Sequence, residues 1–190
     1  MVALFVVVGG KPLLVTFVPG VAVTWVIFVR MCMRDAVLPK ASRFLPLYYL
    51  TIAWQFAHFG EELATGFHIR FPELYGAEPF PSYVFILFNM VSYLAFLLAT
   101  LLVFARHLHF FLIPVLFFIV YGAIGNAVAH TFWAVVHRGY FPGLFTAQAY
   151  WVLGPLLLSR LIGSRREALV SALGFAILLV VVLILFTPRP

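Results

Sequence analysis

LPLYYLTIAWQFAHFGEELATGF, Leu45–Phe67, is the stretch whose reading decides how this chain folds. It matches the roughly 20 residues that a helix needs to cross a bilayer, yet it carries His58, Glu61 and Glu62 in one short run. An ionisable side chain at the bilayer centre costs about 3 kcal/mol or more, so such residues are rare there and mark either a function or a tight pairing. On a helix, His58 to Glu62 is an i, i+4 step and His58 to Glu61 an i, i+3 step, so the three overlap one face.

The rest of the chain supports a membrane reading. Of its 190 residues, 65% are hydrophobic and 9% charged, against about 25% charged in soluble domains. The net charge of +6 comes from twelve Lys and Arg residues scattered singly through short connections. That distribution excludes a nucleic-acid surface and reads as a topology signal. Cys32 is the single cysteine, so an intrachain disulfide or a thiolate metal site is not available. Met1 to Val8 is apolar, but Lys11 and Pro12 follow where a small-residue cleavage site would stand, so no removable signal peptide is expected. The longest polar interval, His68 to Pro81, leaves no room for a separate soluble domain.

Six runs are apolar enough to be read as spans: Leu13–Met33, Leu45–Phe67, Ser82–Phe104, Phe110–Val136, Leu144–Leu161 and Ala168–Phe186. They are apolar on every face, without the alternation of a transmembrane barrel strand. The expected fold is therefore all-α, a single polytopic transmembrane bundle of about six helices. Arg30, Arg34, Lys40, Arg43, Arg106, Arg160, Arg165 and Arg166 flank the odd connections, whereas Lys11, Arg70, Arg138 and Arg189 lie on the other side. Basic residues collect on the cytoplasmic side, which places both termini outside the cytoplasm of a bacterial inner membrane. His58 and Asn126 then fall at similar depth in the outer half of the bilayer. The Pro- and aromatic-rich connection at positions 68–81 is expected to cap that end as an ordered lid.

A second polar group lies in the fourth run. Asn126, His130 and His137 are separated by intervals of four and seven, which stack them within about 60° around a helix. Small residues let helices approach closely in lipid. The second run carries Ala53, Ala57, Gly60 and Ala64, and the fourth carries Gly122, Ala123, Gly125 and Ala129. The expectation is that these two helices pack together, with His58, Glu61 and Glu62 facing Asn126 and His130. Imidazole and carboxylate suit a divalent ion such as Zn, Fe or Mn. His58, Glu61 or Glu62, and His130 would be its ligands, and the remaining carboxylate a general base or an orienting partner. Thr146, past the Pro142-Gly143 turn, enters from the same side as a supporting group, as does His137.

Blander readings compete. A buried neutral histidine bonded to a carbonyl would account for His58, protonated carboxyls acting as hydrogen-bonding glue for Glu61 and Glu62, and structural glue for Asn126. His107 and His109 read as interfacial, and His68, Glu73 and Glu78 as solvated loop groups.

His58-Phe59-Gly60-Glu61-Glu62, with Asn126, His130 and the Tyr140-Phe141-Pro142-Gly143-Leu144-Phe145-Thr146-Ala147 stretch behind them, resembles the HXXEE family of small bacterial membrane proteins over roughly positions 50–158. The resemblance implies a residue set, with Asn126, His130 and Pro142-Gly143 as downstream companions of the motif, and supplies no activity. From the residues, the leading expectation is a membrane-embedded, metal-dependent, hydrolase-like enzyme whose partners are membrane lipid and a small hydrophobic or amphipathic substrate, lipid or isoprenoid-like. The rivals are an ion- or proton-coupled transporter or channel, a haem-binding membrane protein, and a non-catalytic scaffold.

Overall fold

The structure is a computed structural model that describes residues 2–187, with side chains described from residue 10 onward. Arg189, used in the charge count above, and the side chains of the apolar start lie outside the described residues. All regular structure among the described residues is helical. The long elements are α1 (Val2–Met33, kinked at Gly10), α2 (Ala41–Ala64) and α4 (Ser82–Arg106), with the short α3 (Phe67–Glu73) between the last two. A continuous rod, His109–Val136, follows. It comprises a 3₁₀ turn, α5 (Leu112–Phe117), a wide π-helical segment (Phe118–Gly125) and α6 (Asn126–Val136). Then come α7 (Leu144–Ala147), α8 (Tyr150–Ile162) and α9 (Arg165–Phe186).

The rod is the axis of the bundle. Val115, Leu116, Phe118 and Ile119 within it are fully buried, and α1, α4, α8 and α9 pack around it. Small residues set its contacts, and they lie on α8 and α1, not on α2. A Cβ placed on Gly154 of α8 would come within 2.5 Å of the Ile124 side chain, and one on Gly20 of α1 within 2.9 Å of Tyr121. Ala53, Ala57, Gly60 and Ala64 of α2 are exposed instead, and α2 packs along α4 and α8. The expected seam between the second and fourth runs is therefore absent; side chains, not backbones, bridge them.

Among the described residues, four helices are long and apolar enough to cross a membrane: Gly10–Met33, Ser82–Arg106, His109–Val136 and Arg165–Phe186. The other two expected spans differ in identifiable ways. Leu45–Phe67 is interrupted after Ala64, where Gly66 adopts φ 80°, a conformation that favours glycine, and Phe67 begins the new helix α3. Leu144–Leu161 breaks at Gln148 and Ala149, whose N–H groups bond only three residues back. The Thr146 carbonyl at that break also accepts a bond from Trp54 Nε1 of α2, at 2.9 Å. What remains, α8, has 13 residues, about 20 Å of rise.

At the opposite end from the site, Ser164 caps α9 by accepting from the Glu167 N–H, an arrangement typically stabilising by about 1 kcal/mol. The Glu167 carboxylate in turn receives Arg34 at 2.8 Å, tying the end of α1 to the start of α9.

Candidate metal centre

Three side chains converge where α2 meets α6. His130 Nε2 lies 3.2 Å from Glu62 Oε1, and His58 Nε2 lies 3.4 Å from the same oxygen. The imidazole centroids are 4.8 Å apart with the rings edge to face. One ligand atom from each residue falls within 4.8 Å of the other two, so the group could hold a metal ion. All three are buried, with relative exposures of 0% for His58, 5% for Glu62 and 1% for His130.

The outer hydrogen bonds assign the tautomers. His130 Nδ1 is 2.7 Å from the Pro142 carbonyl oxygen, which only accepts, so the ring proton sits on Nδ1. His58 Nδ1 is 2.8 Å from Thr146 Oγ1, and that hydroxyl gives its own proton to Glu61 Oε2. The Thr146 oxygen is left to accept, so His58 also carries its proton on Nδ1. As neutral rings both would turn an Nε2 lone pair toward the same carboxylate oxygen, and His58 Nε2 has no hydrogen-bond partner. Three buried acceptors facing one another are unfavourable unless a cation stands among them. One proton satisfies a single pair, whereas a divalent ion satisfies all three. Tetrahedral ligation with bonds near 2.0 Å puts donor atoms about 3.3 Å apart, close to the two separations observed here.

Glu61 is turned away from this group. Its carboxylate accepts from Tyr140 OH at 2.7 Å, the Phe145 N–H at 3.1 Å, the Thr146 N–H at 2.8 Å and the Thr146 hydroxyl. It is thus the anchor of α7, and through Thr146 it fixes the orientation of His58, the role that a hydrogen-bonded carboxylate plays behind a metal-ligating histidine. Burial and the neighbouring Glu61 carboxylate raise the pKa of Tyr140, keeping the phenol a donor.

Asn126 does not reach the cluster. In the wide segment of the rod its backbone N–H bonds to the Tyr121 carbonyl, five residues back. The Gly122 carbonyl, the acceptor of a regular α-helix, receives the Asn126 side-chain amide at 3.0 Å instead. Asn126 repairs the ladder that the widening opens. His137 also stays apart, its ring stacked on Phe141 at 5.8 Å. His68 bonds Ser82 at 3.1 Å, while His107 and His109 are exposed.

Several contributors carried no sequence signal of their own. Phe67, the first residue of α3, packs against His130 at 5.2 Å; of the expected lid at positions 68–81, only 68–73 are helical. Tyr150 of α8 stands edge-on to His58 at 5.5 Å. Its hydroxyl starts a one-way chain: Tyr150 OH donates to Gln55 Oε1, Gln55 Nε2 to Tyr93 OH, and Tyr93 OH to Asn89 Oδ1. Gly143, legible as a turn former, has a second duty. At φ 85°, any Cβ there would fall 2.5 Å from His130 Cε1 and 3.0 Å from Glu62 Cγ.

Glu62 also faces outward from the cluster, into an elongated cavity of about 340 Å³ with predominantly apolar walls. No protein-family model, curated protein or solved structure matches the chain.

Proposed function

We propose that this protein is a multi-pass membrane enzyme, hydrolase-like and metal-dependent, that acts on a lipid or isoprenoid-like molecule. The observation that carries the reading is the meeting of two imidazole lone pairs and one carboxylate oxygen in a buried pocket beside an apolar cavity. Two histidines and one carboxylate form a donor set suited to Zn²⁺ or Fe²⁺, with a position left for a further ligand. The basic residues favour a bacterial inner membrane with the site toward the outer leaflet. The HXXEE resemblance accords with this residue set, because His58 and Glu62 are the first and last residues of that motif.

In this reading His58, Glu62 and His130 hold the ion, which supplies Lewis-acid polarisation of an ester-type oxygen. Glu61, Thr146 and the Pro142 carbonyl keep both imidazoles in the ligating tautomer. Phe67 and Trp133, both packed on His130, exclude water from one side of the site. Glu62 is the ligand that faces the cavity and so orients the substrate. The haem alternative is disfavoured because rings 4.8 Å apart, with a carboxylate oxygen between their Nε2 atoms, leave no space for a macrocycle.

Metal analysis of protein purified in detergent without chelators tests the proposal. About one equivalent of a divalent transition metal is expected, lost in His58→Ala, Glu62→Ala and His130→Ala. Metal absent from the unaltered protein, or fully retained by these variants, overturns it.

A further inference from the structure

The cavity beside Glu62 has a shape that narrows the ligand class. On α4 its lining runs from Val84 to Phe96, about 18 Å of helix rise, roughly half of a bilayer's ~30 Å hydrocarbon core. The rod residues Pro114, Phe117 and Phe118 form its inner wall, and Phe67, Phe71 and Phe80 its aromatic roof at the α3 end. Glu62 stands near that roof, since Phe59, one turn before it, meets Phe85 at 5.4 Å near the start of α4. Deeper in, the polar lining is already satisfied. Gln55, Tyr93 and Asn89 bond to one another, and the Asn89 amide donates to the Phe85 carbonyl. A guest deeper than Glu62 therefore meets hydrocarbon and internally paired groups.

The cavity also has a side. Helices α1 and α4 barely touch among the described residues, and the ring pair Phe17 and Phe88, 6.0 Å apart, bridges the gap. Val91 lines the cavity and is 57% exposed on the outer face of α4, so the space reaches the surface that lipid would cover. A narrow slot, half a bilayer long, apolar along its depth, open sideways and carrying one carboxylate near its roof fits an extended alkyl chain.

We propose that the cavity between α1 and α4 binds one hydrocarbon chain of an amphiphile, entering sideways from the bilayer past Phe17 and Phe88, with the polar head at Glu62. The inference rests on the membrane-enzyme reading for its direction of entry and for what happens to the head. It names the substrate as chain-bearing and says which end reaches the metal centre.

Trp133 reports on this directly, because it lines the α3 end of the cavity and is 1% exposed. The probe protein is the full chain with Trp25, Trp54 and Trp151 each changed to Phe, in detergent, titrated with lysophosphatidylcholine brominated at defined positions on its chain. Saturable quenching of Trp133 is expected, strongest for bromines near the head and weakest for bromines at the chain end. A parallel arm with brominated two-chain phosphatidylcholine tells whether the chain comes from a single-tailed or a two-tailed lipid. Ser92→Phe with Ala95→Phe, which narrows the slot away from the metal ligands, should raise the half-saturating concentration at least about tenfold, since losing two buried methylenes is enough for that factor. Absence of quenching in protein that retains its metal overturns the inference and leaves the metal-centre reading standing, as does quenching strongest at the chain end. Position-dependent quenching in protein without metal does the reverse, keeping the chain site and removing the enzyme reading.

Discussion

Glu61 and Glu62 are neighbours in sequence and opposites in environment. About 100° apart around α2, one looks toward α7 and the other toward α6. Glu61 accepts four hydrogen bonds from Tyr140, Phe145 and Thr146 and is half-buried; it is electrostatically complete within the chain. Glu62 is buried, with its Oε1 3.4 Å from His58 Nε2 and 3.2 Å from His130 Nε2, a group that could hold a metal ion. A carboxylate whose acceptor sites are filled by N–H and O–H donors holds structure, whereas one facing other acceptors awaits a ligand. In the proposed metal centre the pair divides the work of the site: Glu62 on the ion, Glu61 behind His58.

The largest effect that tests this division is at Glu62. Glu62→Gln keeps the volume but replaces the anion and presents an amide to two lone pairs, so stoichiometric metal should be lost on purification. Glu61→Gln should retain metal at reduced affinity, within the 10–100-fold range typical of groups behind a ligand. Equal losses in the two variants, measured by metal titration, would erase the distinction.

Next in size is Gly143→Ala. The new methyl would fall 2.5 Å from His130 Cε1 and 2.8 Å from Nδ1, and the backbone would be held at φ 85°, which costs a non-glycine residue about 1 kcal/mol or more. The imidazole must move, breaking its bond to Pro142. Metal affinity should fall about 10–100-fold, with a modest loss in thermal stability. Unchanged affinity would mean that His130 is not a ligand.

Thr146→Val isolates the link between the two carboxylates. It removes the acceptor for His58 Nδ1 and one donor to Glu61 while nearly keeping shape, and leaving a buried N–H unpaired costs about 1–3 kcal/mol. Metal affinity should drop about tenfold, and Thr146→Ser should restore it. A Ser variant as weak as Val would assign the loss to packing.

These residues also show what could be read from the sequence and what could not. His58 and Glu62 were legible because charge is expensive in an apolar helix and an i, i+4 step shares a face. His130 was legible because its own run is equally apolar. Glu61 was grouped with them by the same spacing, since its true partners lie some 80 positions downstream and depend on how the chain turns at Pro142 and Gly143. Asn126 was drawn into the site by its interval of four from His130. Its actual role follows from a widening of the rod that no local residue pattern announces. The small-residue stripes suggest one seam. In the rod's stripe Ala123 meets Gly154 of α8 and Gly125 meets Phe175 of α9, while the stripe of α2 faces outward, and composition alone does not say which partner a small residue meets. The long apolar helices are legible from length; the break at Gly66 follows from its left-handed backbone, φ 80°, and at the break after Ala147 the Thr146 carbonyl is taken by Trp54 of α2.

The smallest expected effect is at Tyr140. Its hydroxyl is one of four donors to Glu61, and the pair is partly exposed, so water can replace the lost bond. Tyr140→Phe should lower stability by about 1 kcal/mol or less, read as a shift in thermal unfolding, and leave metal affinity within about twofold because Thr146 still holds both Glu61 and His58. The contrast with Thr146→Val is the informative quantity. Both variants remove one hydroxyl bond to the same carboxylate, but only Thr146 also touches an imidazole of the proposed metal centre. If Tyr140→Phe weakened metal binding as much as Thr146→Val, the charge state of Glu61, not the orientation of His58, would be what tunes the centre, and the two halves of α2 would have to be treated as one coupled site.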